Sequence, residues 1–420
     1  MSSPELDYLY SLDHGAMKLG LERMRTLMEA LNYPYRKFPS IHVAGTNGKG
    51  STCAFLSSIL QHAGYKVGLN TSPHLVNFNE RIQINATPIN NEDLAQLIQE
   101  VRQKVEEEKI DITYFEFATA LAFLHFARQQ VDIAIIEVGM GGRMDATNVI
   151  RPLVSIITNI DLEHTKILGD TKAKIAQEKA GIIKEDVPVV TAEKDPSVLA
   201  VFTDRCKERG TILYEAHSRV TIEPLSSSLE SQTFKVTGSF TGTFATKILG
   251  SHQQQNIATA LAALSLLPRK EWDITTKAVE EGLKHVRWPG RLEIISKNPL
   301  IIVDGAHNLA CVKELVKYLK TIKYNKGTLL LALSDDQEKE AILPLLVPHF
   351  QHVIITQGSH RPRNPQELLP LIQKHCKDVE VESNIQQAVH KALSKQGDFL
   401  LITGSLYMIG EAMVEMRKKI

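Results

Sequence analysis

One segment, Gly45-Thr46-Asn47-Gly48-Lys49-Gly50-Ser51-Thr52, constrains this chain more than any other. It follows a short apolar run, Ile41-His42-Val43-Ala44, and opens a stretch to Gly64 with helical spacing at Phe55, Leu56, Ile59 and Leu60. A glycine-rich turn from strand to helix lets backbone N–H groups converge on an anion, and the helix N-terminus adds a favourable dipole. Lys49 can reach terminal phosphates from there, and Ser51 or Thr52 can offer a hydroxyl to Mg²⁺. The spacing departs from GxxxxGK[ST], because Gly50 separates the lysine from the hydroxyls and Val43 stands where the first glycine would be. The rivals are an ordinary glycine turn and a dinucleotide-binding loop. GxGxxG does not occur here, which counts against the second.

The same alternation of short strands and helices runs through the chain. Lys66–Asn70, Asp132–Glu137 and Val154–Thr158 read as strands, Phe115–Arg128 and Gln253–Leu267 as helices. That order implies right-handed crossovers and a mainly parallel sheet. Val220–Leu249, with alternating apolar residues among Ser, Thr and Gly, predicts antiparallel strands on an edge. Arg287-Trp288-Pro289-Gly290-Arg291 breaks a helical pattern. The alternation then restarts with strands expected at 300–303, 328–333, 352–356 and 399–403. The expected fold class is therefore α/β with two domains. A larger, phosphate-loop-type parallel-sheet domain spans 1–288, a hinge 289–291, and a smaller α/β domain 292–420. Four hundred and twenty residues exceed what one core holds, which agrees with two.

Lys plus Arg and Asp plus Glu number 48 each, and this balance argues against a nucleic-acid or anionic-lipid partner. No apolar run approaches the roughly 20 residues of a membrane span. The start lacks a basic segment followed by an apolar one, and the four cysteines form no CxxC pair. A cytoplasmic location is expected.

Further chemistry-bearing groups fall just after strands, where ligands of α/β sheets bind. Ser72 and His74 lie in Thr71-Ser72-Pro73-His74-Leu75. Glu137 ends a buried strand and leads into Gly139-Met140-Gly141-Gly142-Arg143-Met144-Asp145; a carboxylate there needs a partner or a metal. His164 follows Asn159-Ile160-Asp161-Leu162-Glu163. Ser72, Glu137 and His164 would make an O/O/N set for a divalent ion that also touches a phosphate. Lys179 sits in a helix behind that loop, where sequence alone favours a solvated lysine. His307 in Asp304-Gly305-Ala306-His307-Asn308 and Ser405 in Gly404-Ser405-Leu406-Tyr407 could be ligand contacts or turn and cap residues.

Together these segments resemble the folylpolyglutamate synthase/dihydrofolate synthase family of the Mur-ligase superfamily. The likeness runs in order through HVAGTNGKGST (42–52), TSPHL (71–75), TYFEF (113–117), EVGMGGRMDATN (137–148), EHTKILGDT (163–171), QEKAGIIK (177–184), HQQQNIATA (252–260), PGR (289–291), DGAHN (304–308) and GSLY (404–407). Met140 and Met144 stand where the family more often has Leu, and Glu163 where Asp commonly precedes the histidine. The resemblance implies an ATP-dependent ligase that adds L-glutamate to a pterin carboxylate through an acyl phosphate, acting as a monomer on small molecules. A Mur-type ligase for a nucleotide-sugar acceptor is the alternative in the same class, and a nucleotide-driven switch in another. It implies ATP contacts at Asn47, Gly48, Lys49, Gly50, Ser51, Thr52, Asn256, Arg291 and Asp304, and Mg²⁺ on Ser72, Glu137 and His164. It implies pterin contacts at Thr113, Tyr114, Phe115, Glu116, Met144, Asp145 and Ala146, and glutamate contacts at His307, Ser405 and Tyr407. Lys49, Lys179 and His307 are the implied catalytic residues, with Lys179 carbamylated.

Overall fold

The computed structural model describes residues 4–12, 20–335, 337–360, 362–395 and 397–418. Its first sheet has eight strands: β1 (Ser40–Ala44), β2 (Val67–Asn70), β3 (Ile82–Ile84), β4 (Thr87–Pro88), β5 (Ile133–Glu137), β6 (Val154–Ile157), β7 (Val189–Thr191) and β8 (Leu213–Glu215). Their order is β4-β3-β2-β5-β1-β6-β7-β8, and only the β2–β3 and β3–β4 pairs are antiparallel. All residues of β1 and β5 are buried, as runs covered on both faces require. β1 pairs with β5 through Val43↔Glu137 and with β6 through Ala44↔Ile157. That register brings the loops after three strands to one end of the sheet. The helix Lys49–His62 returns across one face on Phe55, Leu56, Ile59 and Leu60, all fully buried.

The 220–249 region departs from its expected place. Its strands β9 (Val220–Ser227), β10 (Gln232–Gly238) and β11 (Gly242–Thr246) are antiparallel but form a separate sheet, ordered β11-β10-β9. The helical turn Ala216–Arg219 lies between β8 and β9 and carries the chain off the main sheet's edge. Phe234, Val236 and Phe244 then bury against the cluster that holds the helices Lys49–His62, His252–Leu264 and Thr276–His285.

A third sheet contains β12 (Glu293–Lys297), β13 (Leu300–Asp304), β14 (Gly327–Leu331), β15 (His352–Ile355), β16 (Asp378–Val381) and β17 (Phe399–Thr403). The order is β12-β13-β17-β14-β15-β16, parallel except at β12. Apolar side chains cover both of its faces. The segment 289–291 lies between the helix Thr276–His285 and β12, and it is tied to the third sheet. Gly290 N–H donates to Glu293 Oε2 at 2.8 Å, and Gly290 O accepts from Gly305 N at 2.8 Å. None of the described helices is long and apolar enough to cross a membrane.

Candidate active site

The loop between β1 and its helix is gripped from the β6 side. Thr46 N donates to Asn159 O at 2.8 Å, Asn47 N to Asn159 Oδ1 at 2.9 Å, and Thr158 Oγ1 to Asn47 O at 2.7 Å. Gly48, at φ +82°, is the helix N-cap, and a Cβ there would lie 2.3 Å from Asn256 Oδ1. Asn256 is buried and donates Nδ2 to Gln253 Oε1 at 2.9 Å. Only glycine gives both that backbone conformation and that approach. Lys49 Nζ donates to Gly45 O and Thr46 O, each at 3.0 Å. Two buried atoms of this loop, Asn47 Nδ2 and Thr52 Oγ1, have no hydrogen-bond partner among the described residues. Buried polar groups rarely stay unpaired, so these are placed for a ligand.

Lys179 ends the helix Lys172–Lys179 and is 2% exposed, which rules out the solvated lysine. Its Nζ donates to Gly45 O at 2.7 Å. Close backbone packing delivers it there, since a Cβ on Gly181 would sit 2.4 Å from Arg143 Cα, and Arg143 N donates to Glu178 O at 2.8 Å. Burial, with the Lys49 charge adding to it, pushes the Lys179 ammonium down to about 7; Glu163 and Asp145 pull the other way.

Glu137 accepts the Ser72 N–H on Oε2 at 2.9 Å. Burial pushes its carboxyl up, against Lys49, the Ser72 N–H, Arg291 and Arg81. His164 is exposed at the start of the short helix Thr165–Leu168, on the loop after β6, two strand positions from β5. The structure thus joins Ser72 to Glu137, with His164 on a neighbouring loop. His74 accepts from Arg81 Nε at 2.8 Å, and burial, Arg81 and His360 push it down to about 3.

The third sheet closes over this end of the first. Asn308 Nδ2 donates to Asn47 Oδ1 at 2.8 Å and to Glu163 Oε1 at 3.3 Å, while His307 Nε2 lies 3.5 Å from Glu163 Oε1. Burial alone would raise the Glu163 carboxyl, but the His307 hydrogen bond and the charges of Lys49, His307 and His164 outweigh it and hold it well below the carboxylate range. Asp304 accepts Leu292 N on Oδ2 (2.8 Å) and Ala306 N on Oδ1 (2.9 Å), so it shapes the loop that carries His307. Arg291 Nη1 donates back to Gly290 O at 3.2 Å. Ser405 is buried, and the Tyr407 ring lies 4.2 Å from that of His360 and 6.4 Å from that of His74.

On the other flank, Thr113 and Glu116 form a capping box for the helix Tyr114–Arg128. Glu116 also pairs with Arg23, at 3.0 Å from Nη2, so its carboxylate is engaged within the protein. Tyr114 and Phe115 open that helix directly after the Thr113 cap. The Phe115 ring lies against Gly139, where a Cβ would meet it at 2.4 Å, and Arg81 stands 5.4 Å over the Tyr114 ring. Asp145 accepts from Met140 N (2.9 Å), Thr147 N (3.0 Å) and Thr147 Oγ1 (2.5 Å). Burial raises its carboxyl despite these donors. Met144 is half-buried and Ala146 buried beside it. Thr158, Asn159, Glu163 and Asn308 were not among the expected site residues. Each lies within a few residues of a strand end, which is the signal that could have found them.

Comparison with known proteins identifies the two domains and the family. The Mur ligase middle domain matches residues 43–264, and the Mur ligase glutamate ligase domain matches residues 290–406. The dihydrofolate synthase/folylpolyglutamate synthase of Bacillus subtilis is 37% identical over 95% of this chain and 96% of its own length. The crystal structure of folylpolyglutamate synthase from Thermotoga maritima superposes with a TM-score of 0.87 at 35% identity, covering 99% of this chain and 97% of that one. A structure of E. coli FolC in complex with DHPP and ADP does so with a TM-score of 0.85 at 28% identity, covering 100% and 99%. With both domains matched, and likeness sustained over nearly the full length, the chain belongs to the folylpolyglutamate synthase/dihydrofolate synthase family.

Proposed function

We propose that this protein is an ATP-dependent ligase joining L-glutamate to the carboxylate of a pterin, either dihydropteroate or a folate. The observation that carries this reading is the loop at 45–52. Lys49 and Lys179 converge there on Gly45 O, beside the unpartnered Asn47 Nδ2 and Thr52 Oγ1. Such a cradle suits a triphosphate, and the family's substrates supply the rest. A carboxylate oxygen of the pterin substrate attacks the γ-phosphorus and ADP leaves, giving an acyl phosphate. The glutamate amine attacks the acyl carbon, phosphate departs, and the amine loses a proton.

The chain's own residues serve both steps electrostatically. Lys49 meets negative charge on the transferred group. His307, Ser405 and Tyr407 are offered to the glutamate, and Phe115, Tyr114, Met144, Asp145 and Ala146 to the pterin. His307 and Asn308 lie over the loop, and held there by the 289–291 link they would exclude water from the acyl phosphate. Ser72, Glu137 and His164 would hold Mg²⁺. The donor set fits, because Glu137 is a buried carboxylate whose ionised form gains from a nearby cation. When bound, the ion would neutralise phosphate oxygens. Four unpaired cysteines agree with a cytoplasmic setting.

The test is incubation with ATP, Mg²⁺ and L-glutamate plus, separately, dihydropteroate, a reduced folate and a nucleotide-sugar peptide, with products separated by mass. A glutamate adduct on either pterin is the expected result. ADP release only with the nucleotide-sugar acceptor would overturn it.

A further inference from the structure

A second concentration of positive charge lies at the other end of the first sheet. The phosphate loop follows the C-terminal end of β1, whereas Arg151, Lys184 and Arg209 each precede a strand that runs parallel to it: β6, β7 and β8. Together with Arg25, Arg143 and Arg205 they line a cleft of about 390 Å³. The lining holds six cations and one carboxylate, Glu185.

Two of the cations are compensated nearby. Arg143 pairs with Glu178 at 2.8 Å, and Arg205 with Glu208 at 2.7 Å. Arg151 donates Nη2 to Glu185 O at 3.1 Å, and Lys184 donates Nζ to Asn148 O at 2.9 Å; both acceptors are neutral carbonyls. Arg25 and Arg209 are exposed, and neither has a carboxylate partner among the described residues. Four cations therefore share one concave space with a single carboxylate, that of Glu185. Burial, reinforced by Arg209, Arg25 and Arg205, pushes the Lys184 ammonium down to about 8. Like charges held this close disfavour one another until an anion sits between them. Guanidinium groups bind carboxylate or phosphate oxygens through paired N–H donors.

We infer that this cleft is a binding site for a small polyanion, a molecule carrying several closely spaced phosphate or carboxylate charges. A single monovalent ion would leave most of the charge unmatched, while a diphosphate or a short oligo-carboxylate spans the cations and fits the volume.

Titration calorimetry on the ADP-saturated protein tests it, with inorganic pyrophosphate in one arm and tri-γ-glutamate in the other. Arg25→Ala/Arg209→Ala is the diagnostic variant, because both side chains are exposed and their loss leaves the core untouched. Binding of either probe that weakens about tenfold or more in the double variant is the expected result. Binding of pyrophosphate alone assigns the site to phosphate groups, and of tri-γ-glutamate alone to carboxylates. Equal affinity of wild type and variant, or no binding of either probe into the millimolar range, would overturn the site.

Discussion

Lys49 and Lys179 place their ammonium groups on the same acceptor, Gly45 O, at 3.0 and 2.7 Å. One carbonyl dipole cannot neutralise two cations. Burial, with the Lys49 charge adding to it, brings the Lys179 ammonium down to about 7, and the loop as a whole becomes a trap for negative charge.

Removing the first of these cations should be costly. Lys49→Ala should lower ATP-dependent turnover by about 10²–10³, the usual cost of losing a positioned charge-stabilising donor. Steady-state ADP release with each pterin acceptor measures it, and a wild-type rate would end the assignment of the phosphate loop.

The clasp between the domains can be separated from simple folding. Asn308 caps the helix Leu309–Leu319 through Oδ1, which accepts from Cys311 N at 3.0 Å, and reaches Asn47 and Glu163 through Nδ2. Asn308→Asp keeps the cap but loses the donor and sets a second anion beside Glu163. It should cut kcat/KM for ATP about tenfold with little change in Tm, whereas Asn308→Ala should lower both. Equal kcat/KM for Asn308→Asp and wild type would show that closure does not use this contact.

For the metal set, Glu137→Gln and His164→Ala should each raise the Mg²⁺ concentration needed for half-maximal activity by about 10–100-fold. Titration of activity against Mg²⁺ is the measurement. An unchanged midpoint in both variants would make the two residues structural.

Strand-end chemistry was the legible part of this sequence. β1, β5 and β6 are apolar runs with polar residues immediately after them, so Lys49, Glu137 and the 159–164 loop could be placed before any contact was known. The short strands β3, β8 and β16 carry no such run. β16 reads Asp378-Val379-Glu380-Val381, an edge strand with one buried neighbour, and its alternation is too brief to separate from a loop. Glu116 shows a different limit. Its place in TYFEF was readable, but its engagement by Arg23 joins residues 93 apart in sequence, which local pattern does not encode. The same holds for Asn308 and Asn47, 261 apart.

A buried relay beneath the glycine turn predicts how acid affects stability. Thr147 Oγ1 donates to Asp145 at 2.5 Å and so accepts from His42 Nε2 at 2.8 Å, leaving His42 Nδ1 buried without a partner among the described residues. Burial, with a contribution from Lys184, pushes His42 down to about 3. An unfolded histidine takes up its proton near 6.5, so between those values the unfolded state binds more protons. Stability is therefore lost as pH falls through that window, by about 1.4 kcal/mol per pH unit for this group. His42→Gln keeps an N–H for Thr147 without a titrating ring. Denaturant unfolding of both proteins should show a wild-type deficit that grows from pH 6.5 towards pH 3; parallel curves would mean that His42 is protonated in the fold.

Lys179 offers the sharpest test of the catalytic reading. Carbamylation joins a neutral amine nitrogen to the carbon of CO₂ and releases a proton, leaving a carboxylate on the side chain. With the ammonium held at about 7, roughly half of the amine is neutral at that pH, and the fraction rises with alkalinity. A carbamate resonance from isotopically labelled bicarbonate should therefore strengthen between pH 6 and pH 8 and be absent from Lys179→Ala. That variant should lose most activity and regain part of it with a short carboxylic acid in solution, which supplies the missing anion. Lys179→Arg should stay inactive under the same treatment, because a guanidinium remains cationic and cannot carry a carbamate. Full activity of Lys179→Arg would show instead that the position needs only a cation on Gly45 O.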